Sequence, residues 1–293
     1  METIRAILLM ILSMALLAGT DAFIKLATAT ASIGQTMLGM SLGGTILFLL
    51  LARVRRVPVF TRDALHPMVL LRNATEIVAA VGMIVGVTYT ALPVFAAITQ
   101  AGPLIVTMGA ALFLKEQVGL RRWLAVLVGL TGMMIVIRPW SASFTGWELF
   151  AVLGITALSA RDLITRLAPA HITALSISTW GFAATILPAL VLLAMADKPL
   201  TSEPKTAMYI LGAVLVTTSG YLAITTAMRM APASVVSPFR YTRLIFATIL
   251  SIVIFDVWPD GWTLIGGAMI LGAGLYSFLR ERRLAKAAVI ANG

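Results

Sequence analysis

The chain has 293 residues, of which 60% are hydrophobic and only 12% charged, and it carries a net charge of +10. Ordinary soluble domains hold about 45–50% apolar and about 25% charged residues. A soluble globule of this size could not hide so much apolar surface and stay dispersed, so the main solvent must be lipid. The cysteine count is zero, which excludes disulfides and thiolate metal sites.

A bilayer core of about 30 Å needs roughly 20 apolar residues in a helix. On that basis the chain predicts an all-α integral membrane protein with ten spans, at 6–28, 33–52, 66–88, 91–114, 121–138, 146–167, 172–195, 206–229, 231–255 and 262–280. Helix stops and turn residues separate them: Arg53-Val54-Arg55-Arg56-Val57-Pro58, Ala91-Leu92-Pro93, Lys115-Glu116, Arg138-Pro139, Asp197-Lys198-Pro199, Pro232 and Pro259-Asp260-Gly261. The connections from the third span to the fourth and from the eighth to the ninth are very short. Arg5 ahead of an apolar run gives the first span some likeness to a cleaved leader. Asp21 and Lys25 within it argue for a structural helix instead.

The basic residues fall on one side. Arg5, Arg53, Arg55, Arg56, Arg62, Lys115, Arg121, Arg122, Arg166, Arg229, Arg280, Arg282, Arg283 and Lys286 share a side, and Lys25, Arg138, Lys198 and Lys205 take the other. With loops this short, the excess of Lys and Arg marks the cytoplasmic face. Both termini are therefore expected in the cytoplasm, and the resemblance described below implies a bacterial inner membrane. The positive charge is explained by orientation, so nucleic acid is not an expected partner.

An internal duplication organises the chain. Leu16-Leu17-Ala18-Gly19-Thr20-Asp21 lies over Ala157-Leu158-Ser159-Ala160-Arg161-Asp162, and Lys25-Leu26-Ala27 over Arg166-Leu167-Ala168. Thr45-Ile46-Leu47 meets Thr185-Ile186-Leu187, Glu116 meets Asp256, Gly132 meets Gly272 and Pro93 meets Pro232. These matches share an offset near 140. They predict a first five-helix repeat at 6–140, a second at 145–280 and a basic cytoplasmic tail at 281–293. Five spans per half force the halves into opposite orientations, the inverted arrangement of secondary transporters, whose substrate site lies near the midplane.

Charges held in hydrocarbon cost at least about 2.5–3.5 kcal/mol each, so they are functional candidates by default. Asp21 and Lys25, Arg72 and Glu76, and Asp162 and Arg166 are each four apart on one helix face, which predicts self-neutralising pairs. Asp21 or Glu76 is also a candidate proton-binding carboxylate, and Lys25 a residue that snorkels outward. Arg161, Arg240 and Arg243 then lack a local carboxylate, and a guanidinium beside a cavity suits a carboxylate or phosphate. Gln100, Tyr221, Tyr241 and Trp180 complete the expected substrate-binding set, with helix–helix bonding the competing role for each. Gly39-x-x-x-Gly43 and Gly82-x-x-x-Gly86 predict close helix approach. No phosphate-binding loop occurs, against an ATP-driven pump. His66 and His171 sit at span ends, so neither a metal site nor a catalytic base is expected, and no cofactor.

Pro103-Leu104, Glu116-Gln117-Val118, Arg121-Arg122-Trp123-Leu124-Ala125-Val126-Leu127-Val128-Gly129 and Ile137-Arg138-Pro139 resemble the drug/metabolite transporter superfamily, EamA type. In the second half Ala160-Arg161-Asp162-Leu163, Ala227-Met228-Arg229, Pro238-Phe239-Arg240-Tyr241-Thr242-Arg243 and Tyr276-Ser277-Phe278-Leu279-Arg280-Glu281-Arg282 resemble one bacterial subgroup. The family's Gly-Glu signature is degenerate, reading Lys115-Glu116 and Phe255-Asp256. The resemblance implies ten helices, cytoplasmic termini and a central cavity. Its members move amino acids, S-adenosylmethionine, riboflavin, nucleotide sugars, carboxylates or toxic compounds. The expectation is thus a non-enzymatic secondary transporter of a small polar metabolite, exporting an amino-acid-like or carboxylate-bearing substrate. Uptake of riboflavin or S-adenosylmethionine is the alternative, and a gated channel the rival of another class. Monomer and homodimer both stay open.

Overall fold

The computed structural model describes residues 2–115, 119–169, 171–196, 198–231 and 233–291. Glu116, Asp197 and Pro232, used above as breaks or repeat matches, lie outside the described residues, as do the Arg166 side chain and the last residues of the tail. The described residues form thirteen α-helices and no strand. In the first half these are α1 (Glu2–Thr30), α2 (Ile33–Val54), α3 (Pro67–Tyr89), α4 (Leu92–Thr99), α5 (Gly102–Phe113) and α6 (Leu120–Ile137). The second half has α7 (Glu148–Leu167), α8 (Ala174–Ala184), α9 (Ile186–Ala194), α10 (Pro204–Met230), α11 (Ala233–Val236), α12 (Thr242–Phe255) and α13 (Gly261–Ala291).

Local chemistry fixes the helix starts. The Ser32 hydroxyl accepts the Gln35 N–H at 3.1 Å, and the Thr173 hydroxyl accepts the Ser176 N–H at 3.1 Å. Each satisfies an otherwise orphaned first-turn donor. Before α3, His66 Nδ1 accepts the Met68 N–H at 3.2 Å, with Pro67 leading the first turn. Nine stretches of the described residues are long and apolar enough to cross a membrane. The remaining predicted span, 146–167, is α7, 20 residues long and interrupted by Arg161, Asp162 and Arg166.

Three predicted spans are not continuous helices. Span 91–114 divides into α4 and α5, span 172–195 into α8 and α9, and span 231–255 into α11, a 3₁₀ turn over Ser237–Tyr241, and α12. Proline explains each break, since Pro103, Pro188 and Pro238 supply no N–H to the carbonyl four residues earlier. The residues assigned to the basic tail are helical as far as Ala291. Residues 281–291 continue α13, because Arg282–Ala291 is rich in Ala, Leu, Arg and Lys and lacks Gly or Pro.

The chain forms two compact units, and neither coincides with a sequence repeat. One comprises Gly19–Ala91 and Thr145–Thr218. Within it α3 and α7 pack backbone to backbone: a Cβ on Gly82 would lie 2.7 Å from the Gly154 nitrogen, and one on Gly86 2.9 Å from the Ala151 Cα. On α2, Gly34 lies against the backbone of Leu193 and Gly44 under the Phe182 ring, while Gly43 meets the Val214 side chain and Gly39 that of Ile210. Both glycine pairs singled out in the sequence thus serve close approach, the usual device of membrane helices that gain nothing from burying apolar surface.

The other unit comprises Met1–Ala18, Leu92–Phe144 and Ser219–Gly293. Here α6 packs on α13, where a Cβ on Gly132 would lie 2.7 Å from the Gly266 carbonyl. Ala6, Met10, Met14, Ala227, Ala231 and Val236 form a buried cluster. Arg138, in the left-handed region at the end of α6, forms an ion pair with Asp260, which also accepts the Thr263 N–H at 2.8 Å and so caps α13. Burial pushes the Asp260 carboxyl up, but the Thr263 bonds and Arg138 outweigh it and hold it below the usual carboxylate range. A lowered folded pKa stabilises above the unfolded value, about 3.9, and that contribution is lost as pH falls through the folded pKa. Asp260→Asn should therefore narrow its stability gap to wild type as pH drops below about 4, read as the thermal midpoint in detergent across a pH series.

Candidate functional site

The unit built on α3 and α7 holds a connected set of four charges. Arg72 Nη2 lies 2.7 Å from Glu76 Oε2, so the predicted pair on α3 is formed. Glu76 is also shared: Arg161 Nη1 on α7 donates to the same oxygen at 3.0 Å. Arg161 then turns Nη2 and Nε onto Asp162 Oδ1, at 2.6 and 3.1 Å. The expectation of an Arg161 without a carboxylate is corrected. It has two, one from a helix far away in sequence. Two arginines and two carboxylates cancel, as four formal charges in hydrocarbon require.

At the buried end, Arg72 Nη1 donates to Asn73 Oδ1 at 3.0 Å and reaches the Ile177 carbonyl of α8 at 3.4 Å. Gly181 admits it, since a Cβ there would overlap the guanidinium. At the other end Asp162 has 41% of its side chain exposed, against 8% for Arg72. The network therefore runs from a closed end on α8 to an open end on α7.

Lys25 does not snorkel outward. Its ammonium donates to the carbonyls of Thr90, Val87 and Thr88 at 2.7, 3.1 and 3.2 Å, capping α3 from α1. A lysine near a helix C-terminus meets unsatisfied carbonyls and the negative end of the helix dipole. Asp21, four residues earlier, is buried. Trp180 is likewise committed, because its Nε1 donates to the Val59 carbonyl at 2.9 Å and its ring packs against Val69, Ile172 and Ile177. These contacts fasten the loop between α2 and α3 to α8. Nearby, His171 Nε2 and Asp63 Oδ1 stand 3.2 Å apart, and that hydrogen bond holds the Asp63 carboxyl below its usual range.

In the other unit two helix breaks meet. Gln100 sits in the α4–α5 break and is buried, and its Nε2 donates to the Arg240 carbonyl in the 3₁₀ turn before α12 at 3.3 Å. The two residues are 140 apart, which is the repeat period, so each break meets its own counterpart. Tyr241 places its hydroxyl over Gly274 of α13, where any Cβ would collide with it. Of the predicted substrate set, Gln100, Arg240 and Tyr241 are thus gathered at one crossing. Arg240 has an exposed side chain, while Tyr221 and Arg243 are half-buried in the same unit. Paired discontinuous helices from two inverted repeats are where secondary transporters hold substrate.

Several interhelical ties had only a faint sequence signal, a Ser, Thr or Gln on an apolar helix. Thr20 and Thr217 hydroxyls are 3.0 Å apart, and those of Ser41 and Thr185 2.7 Å. The Gln35 amide brackets the Thr201 backbone, donating at 2.6 Å and accepting at 3.0 Å. Among the described residues, no group of three or more His, Cys, Asp or Glu could hold a metal ion.

The chain is 32% identical over 218 residues to a riboflavin transporter of Rhizobium johnstonii, covering 72% of this chain and 71% of that protein. To an S-adenosylmethionine uptake transporter of Rickettsia bellii it is 28% identical over 187 residues, 62% of this chain and 62% of that one. A solved crystal structure of 15% identity matches the fold with a TM-score of 0.64 over 95% of this chain and 98% of its own. The sequence model described as the EamA-like transporter family matches residues 4–138 and again 145–279. Two matches in tandem cover nearly the whole chain, and on that ground it belongs to the EamA-like transporter family of the drug/metabolite transporter superfamily.

Proposed function

We propose that this protein is an inner-membrane secondary transporter for a vitamin- or nucleoside-type metabolite, of the riboflavin or S-adenosylmethionine kind, working by alternating access. The observation that carries the reading is the pair of relatives named for those substrates, each covering well over half of this chain. The crossing of the two helix breaks supports it, because Gln100 meets the backbone of the turn that carries Arg240 and Tyr241. Amide, phenol and guanidinium side chains are the residue types that hydrogen-bond and stack planar heteroaromatic rings. The expectation of an exported amino acid or carboxylate rested in part on Arg161 lacking a carboxylate, and Arg161 pairs with Glu76 and Asp162.

The direct test is flux into proteoliposomes. Saturable entry of labelled riboflavin or S-adenosylmethionine, reduced about tenfold or more by Gln100→Ala at unchanged thermal midpoint, is the expected result. Absence of flux for both compounds, with saturable flux of an amino acid, would restore the earlier expectation. The orientation, with both termini cytoplasmic, has its own check in a chain whose natural cysteine count is zero. A cysteine at Ser143 should react with an impermeant maleimide added outside intact cells, and one at Arg56 should react only after lysis.

A further inference from the structure

Within the unit comprising Gly19–Ala91 and Thr145–Thr218, a cleft of about 270 Å³ lies between α2 and the first half of α10. On α2 it is lined by Gln35, Gly39 and Gly43, spaced four apart and so on one helix face. On α10 it is lined by Ala207, Ile210, Leu211 and Val214, again a single face by their helical spacing. A Cβ on Gly39 would lie 2.5 Å from Ile210 Cγ2, and one on Gly43 2.8 Å from Val214 Cγ2, so the helices meet along the floor of the cleft. Ala207 and Leu211 are exposed above that floor, as are Leu42 and Ile46 beside it on α2. The cleft thus belongs to an apolar surface of two membrane-spanning helices.

Its dimensions decide what can enter. From Gln35 to Gly43 it runs about 12 Å along the helix axis. That is less than half of the about 30 Å of hydrocarbon, so the cleft lies within one leaflet. A volume of about 270 Å³ over that length gives a mean cross-section of roughly 22 Å². A helix about 10–12 Å across has a section on the order of 80–110 Å², too wide to enter. One extended hydrocarbon chain fits. Left empty, so narrow a cleft forfeits the dispersion contacts of its lining.

The ends of the cleft differ in chemistry. Gln35, in the first turn of α2, and Thr201, ahead of α10, line the end at the membrane boundary. The Gln35 amide gives one N–H to the Thr201 carbonyl and accepts the Thr201 N–H. A primary amide carries two N–H donors, so the second is available to a further acceptor. Beyond Gln35 the lining is apolar as far as Gly43 and Val214. A donor at the boundary followed by an apolar channel matches an ester carbonyl followed by its acyl chain.

We infer that this cleft binds one acyl chain of a membrane phospholipid, with the ester carbonyl at the Gln35 amide. The site is separate from the transport reading above and does not depend on it. The chain lies over Gly39 and Gly43, flanked by Ala207 and Leu211, and the head group stays at the surface beside Thr201. Because α2 comes from the first repeat and α10 from the second, the lipid packs against both.

The test uses the full chain purified in mild detergent and titrated with palmitoyl-oleoyl phosphatidylethanolamine, read by native mass spectrometry and by the thermal midpoint. Wild type should hold one lipid above the non-specific background, and that lipid should raise the midpoint by mass action. Ala207→Phe places a ring in the cleft from an exposed position. It should weaken binding of that lipid about tenfold or more, the equivalent of displacing about two buried methylenes. Leu211→Trp is the second cleft variant, should Ala207→Phe not fold. Ile46→Phe, exposed on α2 outside the cleft, is the control and should bind as wild type does. Glycerophosphoethanolamine, which has the head group and no chain, should not compete. Equal lipid binding by wild type and both cleft variants would overturn the inference, as would an equal loss in Ile46→Phe. A wild-type dimer that the cleft variants dissociate would overturn it in favour of a second copy of the chain.

Discussion

Replacing Glu76 with Ala should be the most damaging single change to stability, at about 3–5 kcal/mol. Glu76 is the carboxylate that Arg72 and Arg161 share, at 2.7 and 3.0 Å. Removing it leaves the network with two guanidiniums and one carboxylate, an excess positive charge in an apolar setting. Removing one partner of a buried pair costs far more than the pair contributes, because the remaining charge stays desolvated. Arg161→Ala should cost less, about 2–3 kcal/mol, since Glu76 keeps Arg72 and Asp162 is 41% exposed and so less desolvated by the protein. The double variant Glu76→Ala with Arg161→Ala is neutral in sum and should be less destabilised than the two single costs added, with a coupling of about 1–3 kcal/mol. Unfolding in mixed micelles, monitored by tryptophan fluorescence, reads all four corners of the cycle. Additive costs would show that the two side chains act independently.

The second large effect is steric. Gly82→Leu should also lower the thermal midpoint, by less than Glu76→Ala and through a different cause. A Cβ at that position would stand 2.7 Å from the Gly154 nitrogen and 2.8 Å from the Phe150 carbonyl. Those neighbours are backbone, which cannot rotate away as a flexible side chain can. The helices must separate, losing contacts along their whole crossing, and overpacking of this kind costs about 1–3 kcal/mol or more. Gly272→Leu is the control, because a Cβ there would meet nothing within 4 Å. A Gly82→Leu protein with the midpoint of wild type would show that α3 and α7 do not hold this spacing.

Much of this was legible in the sequence, for identifiable reasons. Bilayer thickness sets helix length, so apolar runs of about 20 residues announce the spans whatever they pack against. The duplication was readable because Asp21 and Lys25 reappear as Asp162 and Arg166, and charged matches are rare among apolar letters. The pair of Arg72 and Glu76 was readable because a separation of four on a helix is a local distance. Gly82 and Gly86 announced a close contact, since only small residues let membrane helices touch.

What the sequence could not determine was anything fixed by a contact between distant segments. Nothing local to Arg161 reveals Glu76, 85 residues earlier, so its charge looked unmatched. Lys25 similarly finds its carbonyls on α3, more than 60 residues away. The breaks at Gln100 and Arg240 were hidden in runs apolar enough to read as continuous spans, and their meeting depends on how α4, α5 and α12 cross. The number and composition of the spans follow from lipid as solvent and can be read one segment at a time. The partners of each polar group follow from which helices lie side by side, and that was decided only when the chain packed, because hydrocarbon forces every such group to find a neighbour within the protein.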